Sequence, residues 1–201
     1  RIGIRSKLVM FPAAGAFLPL IGALVPIISG ETGVRMRSVE QSLLAVAVSE
    51  AEVLILGTPV YFSAETGEMR SFLERLLFPF LTYTPGYAPI FPGKLQVGLL
   101  YTMNITEKDL TTYNYDKIFA ASQGALRLVF GNCDVLLSTD TYQFSDYSEY
   151  LSTSFDPEAK KKRREEIFPE DCKRAFELGA RLAASGRLGL SHSEAPTDGS
   201  F

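Results

Sequence analysis

The chain predicts an α/β fold built on a parallel sheet, and three observations carry that expectation. Short apolar-rich runs recur at Val53–Leu56, Leu95–Leu100 and Cys133–Leu137, the first of them unbroken, the pattern of short strands covered on both faces. Between and after them lie stretches whose apolar residues repeat at helical spacing. Strand alternating with helix makes successive strands parallel and joins them by crossovers of one hand.

The best-formed unit runs from Glu52 to Pro79. Val53, Leu54, Ile55 and Leu56 read as a buried strand, and Gly57-Thr58-Pro59 is expected to stop it. From about Thr66 the period becomes helical, with Met69, Phe72, Leu73, Leu76 and Leu77 on one stripe and Arg70, Glu74 and Arg75 off it. Thr66 or Ser63 can cap that helix. Glu65 and Glu68 suit its positive end, and Pro79 closes it. Thr58 to Ser63 then forms a loop at the carboxyl end of a buried strand, where open α/β sheets bind their ligands. Tyr61 and Phe62, beside a proline turn and hydroxyls, suit a flat heteroaromatic ligand with a polar edge. Packing of both rings on a neighbouring loop accounts for them equally well.

The first fifty residues are less regular. Residues 8–30 carry no charge and follow Arg1, Arg5 and Lys7, a length that could span a bilayer. Pro12, Pro19 and Pro26 interrupt the run, and no small-x-small cleavage site follows. Three readings stand: a membrane segment, a strand over Lys7 to Phe11 with a helix over Ala13 to Leu24, or a start inside a longer protein or outside its native frame. The initial Arg1 favours the third. Residues 1–50 are accordingly set apart as an atypical segment, 51–185 as the domain, and 186–201, rich in Gly, Ser and Pro, as a flexible tail. Val34 to Ser49 reads as a helix with Val39, Leu43, Val46 and Ala47 inward.

Beyond the organising unit, Phe78 to Pro92 sets Phe80, Tyr83, Tyr87, Ile90 and Phe91 among four prolines, either a lid on its own domain or a partner surface. The strand at Leu95–Leu100 presents Tyr101, Thr102, Met103 and Asn104 at its carboxyl end, facing the Thr58–Ser63 loop across a cleft. Ile118 to Phe130 is helical and stops at Gly131-Asn132. The stretch from Thr139 to Ser148 is polar and aromatic, and no role follows from it. Lys160 to Arg164 is followed by Glu165 and Glu166, so it reads as a solvated helix face rather than an anion site. The last helix starts near Pro169 with Cys172, Ala175, Phe176, Gly179, Leu182 and Ala183 on its inner face, which makes Cys172 a core residue.

Composition narrows the function. The chain is 46% hydrophobic and 21% charged, with net charge -3 and a pI of about 5.3, which excludes a general nucleic-acid binder. Its two cysteines, Cys133 and Cys172, have no metal spacing, and a reducing cytoplasm suits them. The single histidine, His192, lies near the carboxyl end. No charged constellation for acid–base or nucleophilic work is legible, so no side chain receives a catalytic role and none a metal. That absence points to chemistry supplied by a cofactor.

The residues GTPVYFSAETGEMRSFLER resemble the flavin-contacting loop and following helix of the flavodoxin-like NAD(P)H-dependent FMN oxidoreductases, whose loop reads G-[ST]-P-V-Y-[FW]-x-x-x-[ST]-G. The likeness continues more weakly to the helix ending near Ala184 and does not cover the first fifty residues. It implies a flavodoxin-like, doubly wound sheet of five parallel strands in the order 2-1-3-4-5, with Val53–Leu56 central and the N-terminal strand region atypical. It further implies FMN as cofactor, NAD(P)H as electron donor and a small-molecule or protein electron acceptor. A homodimer is implied too, in which the Phe78–Pro92 loop is a subunit contact that also walls the flavin. The cofactor residues it designates are Thr58, Pro59, Val60, Tyr61, Phe62 and Ser63 on one side, and Tyr101, Thr102, Met103 and Asn104 on the other. Of the two adjacent rings, Tyr61 is the expected flavin contact.

Two family features are not matched. The phosphate loop G-S-x-R-x-x-[GS]-[NS]-[ST] has no counterpart, since the nearest candidate, Pro12 to Ala16, carries no hydroxyl or amide. The phosphate site is therefore unassigned and weak FMN affinity is expected. The iron–sulfur cysteines of some relatives are absent as well. Alternatives to a reductase are a flavodoxin-type electron carrier and a flavin-free interaction module on the same fold.

Overall fold

A computed structural model of the chain describes residues 8–12 and 44–191, with side chains over 44–186. Strand β1 (Leu8–Pro12) comes first, and helix α1 is described over residues 44–49. There follow β2 (Val53–Tyr61), the two-residue β3 (Ala64–Glu65), α2 (Gly67–Leu77), β4 (Gln96–Thr102), α3 (Glu107–Thr112) and α4 (Tyr115–Phe130). The chain ends with β5 (Asp134–Ser138), α5 (Pro157–Glu166) and α6 (Phe168–Ser191). His192 and the rest of the expected tail lie outside the described residues, as does the Ala13–Leu24 stretch.

The main sheet runs β1-β2-β4-β5, and every pairing along it is parallel. Met10 lies opposite Ile55, Ile55 opposite Gly98, and Leu99 opposite Val135. These strands take places 1, 3, 4 and 5 of the 2-1-3-4-5 order, and the strand expected at place 2 has no counterpart among the described residues. Of the readings of the first fifty residues, the strand over Lys7 to Phe11 is met by Leu8–Pro12, which pairs along β2 from Val53 to Gly57.

Both faces of the sheet are covered, as the apolar runs require. Leu54, Leu56, Val97 and Leu99 join α2 and α4 through Met69, Leu73, Leu76, Phe119 and Leu126 in the larger core. On the other side Val53 meets Leu178 and Leu182 of α6, with Ile55, Leu100 and Leu136 against them. Gly98 permits that approach, since a Cβ there would lie 2.8 Å from Ile55 Cδ1 and 2.9 Å from Leu182 Cδ1.

Three expected helix faces shift. In α1 Val48 is buried while Val46 and Ala47 are exposed, because Val48 and Ala51 are the residues that reach the core. In α6 the inward residues are Asp171, Leu178 and Leu182, leaving Cys172 and Phe176 in solvent. Cys133, by contrast, is buried, and burial first, then Asp134, pushes its thiol up to about 11 against the opposing pull of Arg127. It is a packing residue rather than a reactive one. The third shift is Lys160, which leaves the solvated face expected for its run and is buried.

The loop from Phe78 to Pro92 divides its rings. Phe80 is buried and packs edge-on against Phe91 and Phe130, while Phe78, Tyr83, Tyr87 and Ile90 are exposed. It precedes β4, so it lies by the amino ends of the parallel strands. Among the described residues no helix is long and apolar enough to cross a membrane.

Candidate functional site

At the opposite, carboxyl edge of the sheet the loops after β2, β4 and β5 converge with the start of α5 on one cleft of about 560 Å³. Each wall has a local cause. Gly57-Thr58-Pro59 does not stop β2, which continues through Pro59, opposite Thr102, to Tyr61. The missing N–H of a proline is tolerated near a strand end. Tyr61 then pairs with Ala64 and Val60 with Glu65 in an antiparallel hairpin. Its two central residues, Phe62 and Ser63, have φ of 50° and 64°, as the tight turns that match strand twist require. The expected loop is therefore a projecting hairpin whose tip is held by a 3.0 Å hydrogen bond between Ser63 Oγ and Tyr115 Oη.

The second wall is Met103 to Thr106. The Met103 N–H donates to Ser138 O at 3.0 Å, and Thr141 N–H donates to Met103 O at 3.0 Å. Asp140 N–H donates to Ile105 O at 2.8 Å, so the loops after β4 and β5 are laced together. Thr106 caps α3, accepting from Asp109 N–H.

The third wall is α5, capped by Asp156, whose carboxylate accepts from the N–H groups of Glu158 and Ala159. From this helix Lys160 reaches inward and donates to Asn104 Oδ1 and Asp140 Oδ1. Its ammonium also lies 5.4 Å from the centre of the Phe155 ring, within cation–π reach.

Of the residues the sequence designated, Val60, Phe62, Ser63, Met103 and Asn104 line this cleft and the others do not. Thr58 is buried, and its hydroxyl is used locally, donating to Pro59 O at 2.9 Å and accepting from Thr66 N–H at 3.3 Å. Tyr101 lies in the core, stacked on Phe119 with ring centres 4.1 Å apart, and donates to Glu65 Oε1 at 2.7 Å. Burial, then the Glu65 carboxylate, holds its hydroxyl far above the usual tyrosine range. Both are framework rather than cleft wall, because strands β2 and β4 run further than expected and alternation turns these side chains inward. The same alternation turns Tyr61 away, so Phe62 and not Tyr61 is the ring at the lip of the cleft. Pro59 and Thr102 pair beneath the cleft without lining it. The Phe78–Pro92 loop does not line it either, so within one chain it walls nothing there.

Sequence reasoning missed Lys160, Asp140 and Tyr115. The local pattern of Lys160 is that of a surface charge run, and its partners are far away in the chain. Only the interval of three from Lys160 to Arg163, which is also largely shielded, hints at an inward face.

The cleft lining includes three carboxylates, Asp109, Asp140 and Asp156, against the single Lys160. A phosphate dianion would be repelled there. An uncharged planar ring would not, with Val60, Phe62, Met103, Ile105 and Phe155 offering apolar surface.

No protein-family description matches the chain, and no curated protein does. Among solved structures it is similar to an NAD(P)H:quinone oxidoreductase from Methanothermobacter marburgensis, at 13% identity over 64% of this chain and 70% of that one, with a TM-score of 0.48. It is also similar to an FMN-dependent NADH-azoreductase from Bacillus anthracis in complex with FMN, at 10% identity over 77% and 70% of the two chains, with a TM-score of 0.46. These likenesses are loose, and the strand order is the firmer ground. The fold is flavodoxin-like.

Proposed function

We propose that the chain is an FMN-dependent NAD(P)H oxidoreductase whose flavin ring occupies the cleft between the β2–β3 hairpin and the β4 loop. One observation carries this reading: the two segments that the sequence separately designated for a flavin converge on a single cleft, through Val60, Phe62 and Ser63 on one side and Met103 and Asn104 on the other. The lining fits the ring of that group, being apolar over the walls and provided with an amide for a polar ring edge, while Asp109, Asp140 and Asp156 would repel the phosphate. The phosphate would be held elsewhere, and the loop after β1 falls outside the described residues.

When bound, FMN would supply hydride acceptance from a nicotinamide and electron transfer to an acceptor. The protein's part is positional. Phe62, Met103 and Asn104 would hold the ring, Phe62 and Met103 by offering apolar surface and shedding water and Asn104 by offering a polar partner. The interlaced loops after β4 and β5 would hold Met103 and Asn104 in place, which is what orientation requires. The electron acceptor is a small molecule or a protein, and a homodimer formed through the exposed rings of the Phe78–Pro92 loop accompanies the reading.

Titration with FMN and with riboflavin, followed by fluorescence quenching, tests the cofactor. Steady-state NAD(P)H oxidation then separates a reductase from a carrier. The expected result is saturable quenching by both flavins, with riboflavin close to FMN because the cleft reads the ring. Absence of quenching by either at millimolar concentration would sink the proposal. A substitution sharpens it. Phe62→Ala should weaken flavin binding about tenfold, as the loss of one stacked ring does, with the apo melting temperature almost unchanged because Phe62 is fully exposed. Tyr61→Ala should leave flavin affinity as it was.

A further inference from the structure

Lys160 is only 6% exposed although it opens a run of five basic residues. Its ammonium donates to Asn104 Oδ1, to Asp140 Oδ1 and, at 3.4 Å, to the backbone oxygen of Asn104. An ammonium has three donors and no acceptor, so these partners use its whole capacity and none remains for a ligand. Lys160 is therefore not an anion site.

Its effect on Asn104 is directional. A carboxamide has one end that accepts and one that donates, and only the oxygen can face an ammonium. With Oδ1 turned to Lys160, the Nδ2 end is turned away from it. No described residue accepts from Asn104 Nδ2, and Asn104 lines the cleft. Rotating the amide by half a turn would set two N–H groups against an ammonium, which costs far more than one hydrogen bond. The backbone that carries these partners is itself fixed, since Asp140 is held by its N–H to Ile105 O, and Met103, the residue before Asn104, by the lacing to Ser138 and Thr141.

We propose that Lys160 is a positioning residue that locks the Asn104 side chain so that it offers N–H donors to the cleft and never a carbonyl. The cleft then selects a ligand edge that carries a carbonyl oxygen at that point and rejects one that carries an N–H there. This rests on the flavin reading in one respect only: the carbonyl-bearing ring edge of a flavin is the ligand class to which the donor is matched.

The orientation is read first without any flavin. In the ligand-free protein, nuclear Overhauser contacts from the Asn104 Hδ2 protons to the Lys160 ε-methylene should be missing, and a strong contact overturns the proposal. Binding of FMN and riboflavin is then compared across Asn104→Ala, Lys160→Met, the double variant and Asn104→Asp. Asn104→Ala should weaken both flavins about tenfold, the scale of one lost hydrogen bond. Lys160→Met should cost several-fold by freeing the amide, and the double variant should bind no more weakly than Asn104→Ala alone, because the lysine acts only through the amide. Asn104→Asp keeps a partner for Lys160 but has no N–H, so it should bind at least as weakly as Asn104→Ala. Wild-type affinity in Asn104→Asp, or losses that multiply in the double variant, overturn the proposal. Should Lys160→Met fail to fold, Asn104→Asp and the Overhauser measurement still decide. A wild-type protein that binds neither flavin overturns the functional reading instead, and the orientation is then judged on the Overhauser contact alone.

Discussion

Replacing Asp171 by Ala should lower the unfolding free energy by about 3–5 kcal/mol, the usual cost of removing one partner from a buried ion pair. Asp171 is 3% exposed, and its Oδ2 accepts from Arg163 at 2.8 Å and from Ser138 Oγ at 2.7 Å, while Oδ1 accepts from Arg174. It therefore ties the end of β5 to both α5 and α6. Arg163 depends on it heavily, because its Nη1 is buried and without a partner among the described residues. Burial alone would push the Asp171 carboxyl up, but the hydrogen bonds from Arg163, Arg174 and Ser138 together outweigh it and hold the carboxyl below its ordinary range. A carboxyl lowered on folding adds stability that is fully present above its unfolded value of about 3.9 and is lost as pH falls through the folded value. Urea unfolding of the wild type should thus weaken steeply below about pH 4, and Asp171→Asn should flatten that acid limb. A cost under 1 kcal/mol for Asp171→Ala at neutral pH would show that the three contacts do not act together.

Tyr101 separates framework from cleft. Tyr101→Ala should cost about 3–5 kcal/mol, since it empties a fully buried aromatic position against Phe119. Tyr101→Phe keeps the ring and removes the hydroxyl with its bond to Glu65, and about 1 kcal/mol is expected because the partly exposed carboxylate regains water. Flavin affinity should be unchanged in Tyr101→Phe. The sign with pH is opposite to that of Asp171. A hydroxyl raised on folding stays protonated where the unfolded chain ionises, so this contribution is intact below about pH 10 and declines above it. Tyr101→Phe should therefore lose less stability than the wild type in alkali. A clear fall in flavin affinity for Tyr101→Phe would return this residue to the cleft.

What was legible in the sequence was local. The Thr66 cap was read from its side chain and position, and Thr66 Oγ1 does accept from Met69 N–H. Gly131 ends α4 with φ of 88°, a conformation suited to glycine. The parallel pairing of β2, β4 and β5 followed from the alternation of strand and helix, since covered parallel strands leave few topologies. What was hidden was decided at long range. The phase of α6 was misread because its most buried polar residue, Asp171, is the type a pattern reader assigns to solvent, so the stripe was moved by one position to Cys172 and Phe176. Lys160 was hidden for the same reason: only partners at Asn104 and Asp140 make its burial tolerable. Thr58 and Tyr101 were misplaced because the ends of β2 and β4 depend on pairing with each other, which no local signal reports.

The tip of the β2–β3 hairpin carries a cost that the rest of the fold must cover. Phe62 and Ser63 both occupy left-handed backbone conformations, in which a residue with a Cβ is disfavoured by about 1–2 kcal/mol, and two-residue hairpins ordinarily use Asn-Gly there. Installing Asn-Gly at 62 and 63 should therefore raise the melting temperature, even as it deletes the ring at the lip of the cleft and the Ser63 hydroxyl that anchors the tip to Tyr115. Thermal robustness and the proposed flavin binding would then be set against each other at the same two positions. Selection for heat resistance alone would be expected to converge on that turn and to erode binding as it did so.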